Sequence, residues 1–138
     1  MNSLTKVQPK FETDRFTVAP LSPAEGRKLA EVLLQDEGLA ARVPWLTEKT
    51  RDGALQQAYG IELQAAAGQI KVWGIVAREL RMQIGAIISR NSIEGIDVEV
   101  LVASQFWDDG VVEEASEPVM DWLDDHSEVL QNFPISMH

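Results

Sequence analysis

No lysine or arginine follows Arg90 in this 138-residue sequence. All twelve basic residues precede that point, so everything beyond it carries fixed charge of one sign. Between Glu94 and Glu128 stand twelve carboxylates, which outweigh the formal net charge of −10 on their own. A site built in that half repels anions. Cysteine is absent altogether. Its absence excludes a disulfide framework, a thiolate metal centre and a cysteine nucleophile, and it suits a reducing cytoplasm. No apolar run approaches the roughly 18 residues of a membrane span, and the opening MNSLTKVQPKFETDR has no apolar signal core. The expectation is a soluble, cytoplasmic protein without a membrane partner. A pI near 4.5 argues against nucleic acid, whose backbone demands clustered cations. The sequence also lacks a Walker loop, HExxH, a Ser-His-Asp order and a paired-carboxylate glycosidase signature.

What is present reads as one α/β domain over residues 1–138, an α+β sandwich with a mostly antiparallel central sheet and helices on both faces. Hydrophobic residues make up 45% of the chain, enough for a single core. Residues 1–10 read as a flexible or pairing arm. Phe16, Val18 and Ala19 predict a short strand ended by Pro20. Ser22, Pro23 and Glu25 form a capping box with a first-turn proline, opening a helix that Gly38 should stop. A second helix is expected from about Glu48 to Ala67, with Leu55, Ala58, Tyr59 and Leu63 on one face. Val72–Val76 and Ile84–Ser89 predict a hairpin turned at Arg78–Arg81, and Ile96, Val98, Val100 and Val102 alternate as a half-buried strand. A helix over Val111–Asp125 should bury Val112, Ala115, Val119, Trp122 and Leu123. Pro118 within it predicts a late start or a kink. Val129–Ile135 predicts a last strand, at an edge because of Pro134.

Three stretches carry a resemblance. Thr13–Leu21 (TDRFTVAPL) resembles a first strand written T-x-R-L-x-L-R-P-L. Pro44 and Trp45, together with Val72–Val76 before Ile84 and Gly85, are similar to a family's middle. Asp97–Ala115 (DVEVLVASQFWDDGVVEEA) resembles a strand that runs through a pyrophosphate loop into a helix. The family is the GNAT superfamily of acetyl-CoA-dependent N-acetyltransferases, in its ribosomal-protein-alanine acetyltransferase branch, and the likeness spans about residues 12–126. It implies a GNAT-like fold, with later C-terminal elements missing from this chain, and acetyl transfer to a primary amine. It also implies that residues 96–126 correspond to the acetyl-CoA-binding strand, loop and helix. Leu101, Val102 and Ala103 would then offer backbone to pantetheine, and Trp107, Asp108, Asp109, Gly110, Val111 and Val112 would be the pyrophosphate loop.

That loop is degenerate. The family's pattern places glycines and a small residue where backbone N–H groups approach the phosphates. Here only Gly110 matches, while Asp108 and Val112 replace small residues and Asp109 stands where a cation is common. At about 1 kcal/mol per charge pair at 4 Å even in water, two carboxylates repel coenzyme A. Acetyl-CoA is therefore the cofactor if there is one, and activity should be weak or lost. The bland reading of Asp108 and Asp109 is capping of the following helix.

Asp97 and Glu99 share a strand face, and either is a candidate general base. The competing reading is a polar outward face. Tyr59 suits packing better than acid catalysis, and nothing matches the family's general acid. His126 and His138 read as free surface histidines, and Asp121, Asp124, Asp125 and Glu128 as a solvated face; no metal site is expected. Trp45, Trp73, Trp107 and Trp122 read as core or interface anchors, and an uncovered Phe106–Trp107 pair would mark a partner surface. The alternative to an enzyme is a catalytically silent relative that binds a protein partner or itself through an open sheet edge and an acidic helix. Expected partners are a second copy of the chain, a cationic amine or a basic protein.

Overall fold

Strands that alternate or run β-branched in the sequence assemble into one sheet, and the helices divide over its two faces. The computed structural model describes residues 8–93, 95–125 and 135–137. In chain order the elements are β1 (Phe11–Glu12), β2 (Phe16–Pro20), α1 (Pro23–Leu33), α2 (Glu37–Arg42), α3 (Arg51–Ala66), β3 (Ile70–Ala77), β4 (Met82–Ser92) and β5 (Gly95–Val102). A 3-10 helix (Ser104–Asp109), α4 (Val111–Asp125) and β6 (Ile135–Met137) follow. The sheet order is β1-β2-β3-β4-β5-β6. All neighbours are antiparallel except β5 and β6, which run parallel over Val98–Val100.

The predicted hairpin is present, with Ile87 opposite Trp73 and Val100 opposite Ile87 in the next ladder. Alternate residues of the meander face different layers. Val72, Ala86, Ile88 and Leu101 pack with α1, α2 and α3, whereas Trp73, Ile75, Ile87, Val98 and Val100 pack under α4. Burial of both faces removes the polar face expected for β5: only Asp97 is exposed, and Glu99 lies 3% exposed within the sheet. Gly85 permits the close β4–β5 approach, since a Cβ there would stand 2.5 Å from the Leu101 carbonyl oxygen.

Several expectations are corrected. The capping box opens α1 as predicted, with Glu25 N–H donating to Ser22 Oγ and Ser22 N–H to Glu25 Oε1. The helix nevertheless ends at Leu33, and Gly38 lies inside a separate helix, α2. Asp36 causes the break: its Oδ1 accepts from the Leu39 amide and caps α2. In α3 the inward face is Ala54, Ala58 and Ile61; Tyr59 and Leu63 are 57% and 56% exposed. The stripe was set by the large apolar residues, but the small ones face the neighbouring helix because α1 packs closely against α3. Helix α4 starts at Val111 and runs through Pro118, with Val111, Ala115, Val119 and Leu123 buried and Val112 and Trp122 partly covered. The last strand is Ile135–Met137; residues 129–134 of the predicted one lie outside the described residues.

One cluster ties the β1–β2 turn to the start of α4. Glu114 Oε2 accepts from Thr13 Oγ1 at 2.6 Å and from the Arg15 amide at 2.8 Å, while Arg15 Nε donates to Oε1 at 2.7 Å. Burial pushes the Glu114 carboxyl up, but these three donors outweigh it and hold it below its ordinary value. A carboxyl depressed by folding contributes stability that is fully present above its unfolded value and is lost as pH falls through its folded one. Stability to urea should therefore decline as pH drops below about 4.3, and Glu114→Gln should flatten part of that decline. An unchanged pH profile in the variant would show that the cluster adds nothing to folding.

Candidate functional site

Two clefts meet the residues that the sequence singled out. The first, of about 420 Å³, lies between α3, the ends of β4 and β5 and the loop at Pro44–Trp45. Gln57 and Gln64 of α3 line one wall, and Arg90, Asp97 and Glu99 the other. Asp97 and Glu99, on one face of β5, both line this cleft but have different surroundings. Glu99 Oε2 accepts from Trp45 Nε1 at 2.5 Å and its Oε1 from Arg90 Nη1 at 2.8 Å, with the Arg90 guanidinium 5.7 Å from the Trp45 ring centre. Both oxygens are engaged. Asp97 is exposed, and its side chain makes no hydrogen bond or ion pair among the described residues. Of the two, Asp97 is the one whose oxygens are open to an incoming proton.

The second region is the end of β5 and the loop beyond it. The indole Nε1 of Trp107 donates to the Val102 carbonyl at 2.8 Å, and the Arg42 guanidinium stacks 4.0 Å over the Trp107 ring. The Ala103 amide donates to the Ile84 carbonyl at 2.9 Å. The Val102 carbonyl, on backbone that the resemblance assigns to pantetheine, is thereby satisfied from within the chain. What stays open is a slot of about 190 Å³ between Arg42, Phe106, Trp107 and the first turn of α4. Phe106 and Trp107 are half-buried against the core, so they do not form the uncovered pair that would mark a partner surface.

Gly110 takes the left-handed conformation, φ 70°, that joins the 3-10 helix to α4. Asp108 and Asp109 before it are exposed, and their side chains make no hydrogen bond or ion pair among the described residues. The expected capping is absent: the 3-10 turn carries both carboxylates away from α4, whose first-turn acids are Glu113 and Glu114. Asp109 contributes only its carbonyl, which accepts from Arg15 Nη2 at 2.7 Å. The loop starts from a second anchor that the sequence reading missed. Asp36 Oδ2 accepts from the Ser104 amide at 2.9 Å and from Ser104 Oγ at 3.1 Å, joining α2 to the end of β5. Burial raises the Asp36 carboxyl, and the Leu39 and Ser104 donors bring it below its ordinary value. Asp36 followed three residues on by an apolar Leu39 was the signal, masked by reading Gly38 as a stop. His126, His138 and Glu128 lie outside the described residues; among those described, no group of metal-ligating side chains converges, and no helix is long and apolar enough to cross a membrane.

The order of elements, the parallel pairing that follows β5 and the loop that leads from β5 into α4 define the fold of the GNAT N-acetyltransferases. Solved structures with that fold include the ribosomal L7/L12 alpha-N-protein acetyltransferase in complex with coenzyme A, with a TM-score of 0.67, 11% identity and coverage of 92% of this chain and 73% of the other. The ribosomal-protein-S5-alanine acetyltransferase from Vibrio fischeri matches with a TM-score of 0.62, 16% identity and coverage of 86% and 68%. A spermidine N-acetyltransferase chimera from Vibrio cholerae and hSSAT matches with a TM-score of 0.55, 11% identity and coverage of 80% and 64%. No family model matches the sequence, and a search of curated proteins finds no match. At these identities the likeness is one of fold.

The Glu99 environment is open to a stability test. Arg90→Met leaves a nearly buried carboxylate with one donor fewer and should cost about 3 kcal/mol by urea denaturation, because breaking a buried pair strands a charge. Arg90→Met combined with Glu99→Leu should recover most of the loss. A single variant as stable as the parent would mean that the pair is not formed in solution.

Proposed function

We propose that this chain is a GNAT-fold relative of the acetyl-CoA-dependent N-acetyltransferases acting on primary amines, with acetyl transfer weakened or lost. The observation that carries the reading is the Trp107 indole on the Val102 carbonyl. Groups that would hold pantetheine in such a fold are answered by the chain itself, and exposed Asp108 and Asp109 stand where a pyrophosphate would lie. Residues present do not fit coenzyme A: the loop offers two free carboxylates, and Val112 replaces a small residue at the close approach. The cleft beside Asp97 is retained, so the acceptor side of the fold outlasts the donor side. Any residual transfer would use Asp97 as the base, with the free carboxylate steering a cationic amine.

Isothermal titration with acetyl-CoA tests this. The unchanged protein should show no binding at millimolar ligand, and Asp108→Gly with Asp109→Lys should raise affinity about tenfold or more by removing two repulsive charges and adding an attractive one. Micromolar binding by the unchanged chain would sink the reading.

A second reading has its own observation. Glu113, Glu117, Asp121 and Asp125 recur every four residues on α4, all exposed, and none is ion-paired among the described residues. Like charges at that spacing weaken an isolated helix, so the stripe is a cost that a basic partner would relieve. The sheet ends in β6, a three-residue strand suited to pairing with another strand, and a homodimer through that edge is the simplest assembly. Light scattering at micromolar concentration should give twice the chain mass; a monomer would count against it.

A further inference from the structure

The largest of the clefts described, about 470 Å³, lies on the α4 side of the sheet, away from Asp97 and Glu99. Its floor is apolar, formed by Phe16, Ile84, Phe106 and Val111, and the exposed Leu80 side chain of the β3–β4 turn stands at its lip. That size and lining fall within the range of small-ligand sites. The charges at the rim are unevenly available. Arg78 turns its guanidinium inward, donating to the Phe16 carbonyl at 2.5 Å, the Asp14 carbonyl at 2.8 Å and the Thr13 carbonyl, with Glu12 3.3 Å away. Arg15 is committed to Glu114 and to the Asp109 carbonyl. In contrast, the carboxylates of Asp14, Glu79 and Asp109 are exposed at the same rim and have no partner among the described residues.

An anion entering this cleft meets two cations whose donors face other acceptors, and three carboxylates that repel it. A cation meets free acceptors on three sides, and the two guanidiniums, one of them 4.8 Å over the Phe16 ring, are each offset by their own carboxylate, Glu114 or Glu12. We infer that the cleft between the β1–β2 turn, the β3–β4 turn and the start of α4 is a binding site for a small amphiphilic cation: an aromatic or aliphatic body on the Phe16–Ile84–Phe106 floor and an ammonium among Asp14, Glu79 and Asp109. The site is independent of the cleft beside α3 and of any acetyl transfer there. Contact with the exposed Leu80 and the half-buried Phe106 above that floor supplies the apolar part of a weak affinity, and the ring of carboxylates supplies the selection by charge.

Titration of the full chain with 2-phenylethylammonium, followed by amide NMR, tests the inference; 2-phenylethanol and phenylacetate serve as neutral and anionic probes of the same body. The ammonium should bind with Kd on the order of 1 mM, as befits about nine heavy atoms, and shift the amides of Leu80 and Phe106. Phenylacetate should bind at least about tenfold more weakly, with the alcohol between them. Asp14→Asn with Glu79→Gln changes exposed side chains that hold nothing else in place, so the fold is not at stake; this pair should weaken the ammonium about fivefold or more and leave the alcohol unchanged. Asp97→Asn should leave all three probes unaffected. Equal binding of cation and anion, shifts confined to residues around Asp97, or no ammonium binding at about 10 mM would each overturn the inference.

Discussion

A buried strand end must have every backbone donor and acceptor paired, and the end of β5 is where this chain meets that demand in an unusual way. Leu101 and Val102 are fully buried, yet β6 pairs with β5 only as far as Val100. Beyond that point no described strand lies beside the outer edge of β5. An unpaired carbonyl there would cost about 1–3 kcal/mol. The chain answers with the Trp107 indole, and Arg42 stacked on the ring holds it in place. Much of the loop follows from this one contact. The 3-10 helix has to bring residue 107 back over residue 102, which fixes where Asp108 and Asp109 emerge and where α4 begins. Because the indole occupies the outer face of the Val102 carbonyl, any other donor approaching that edge of β5 would have to displace it.

A related economy operates on the other side of β5. Glu99 points into the helical layer beside core residues, where an ionised carboxylate without partners would be intolerable. Trp45 and Arg90 supply two donors, one from the loop before α3 and one from the neighbouring strand. The residue chosen as a candidate base is thereby also a fastening between α3's approach and the sheet. Asp97, two residues earlier, reaches solvent and has no such duty. The two carboxylates differ by a single step along the strand, and that step decides which could serve chemistry.

How far the sequence could be read follows the range of the interactions involved. The meander was legible because period-2 alternation at Ile96–Val102 and the β-branched run at Ile84–Ser89 are local signals that the sheet reinforces. The N-terminus of α1 was legible because a capping box completes itself within four residues. Asp36 was missed because half its work is done 68 residues away, at Ser104, and no local pattern announces that. The inward face of α3 was misjudged for a similar reason: intrinsic hydrophobicity favours Tyr59 and Leu63, while close packing against α1 favours Ala54 and Ala58. At the site, the spacing of Asp97 and Glu99 announces a shared strand face, but the partners of Glu99 come from residues 45 and 90. The expected capping by Asp108 and Asp109 failed because a 3-10 turn, not an extended residue, precedes α4.

The one-sided charge of the chain has a structural counterpart. Two of its ion pairs, Arg15–Glu114 and Arg90–Glu99, join the half that contains all the cations to the half that contains none. Each stands where two layers meet: the β1–β2 turn on α4, and β4 on β5 beside α3. Of the other described acids in that half, Asp97 lines the cleft beside α3, and the rest lie in the 108–109 turn and along the outward face of α4, where water solvates them and no core depends on them. Packing under α4 rests on Val98, Val100, Val111 and Ala115, none of which would change if glycines replaced Asp108 and Asp109. The architecture is therefore insulated from the chemistry of the loop, as expected when function is carried by a site grafted onto a fold. Charge in the 108–109 turn, and at the rim beside Asp14 and Glu79, is therefore not opposed by the stability of the sheet.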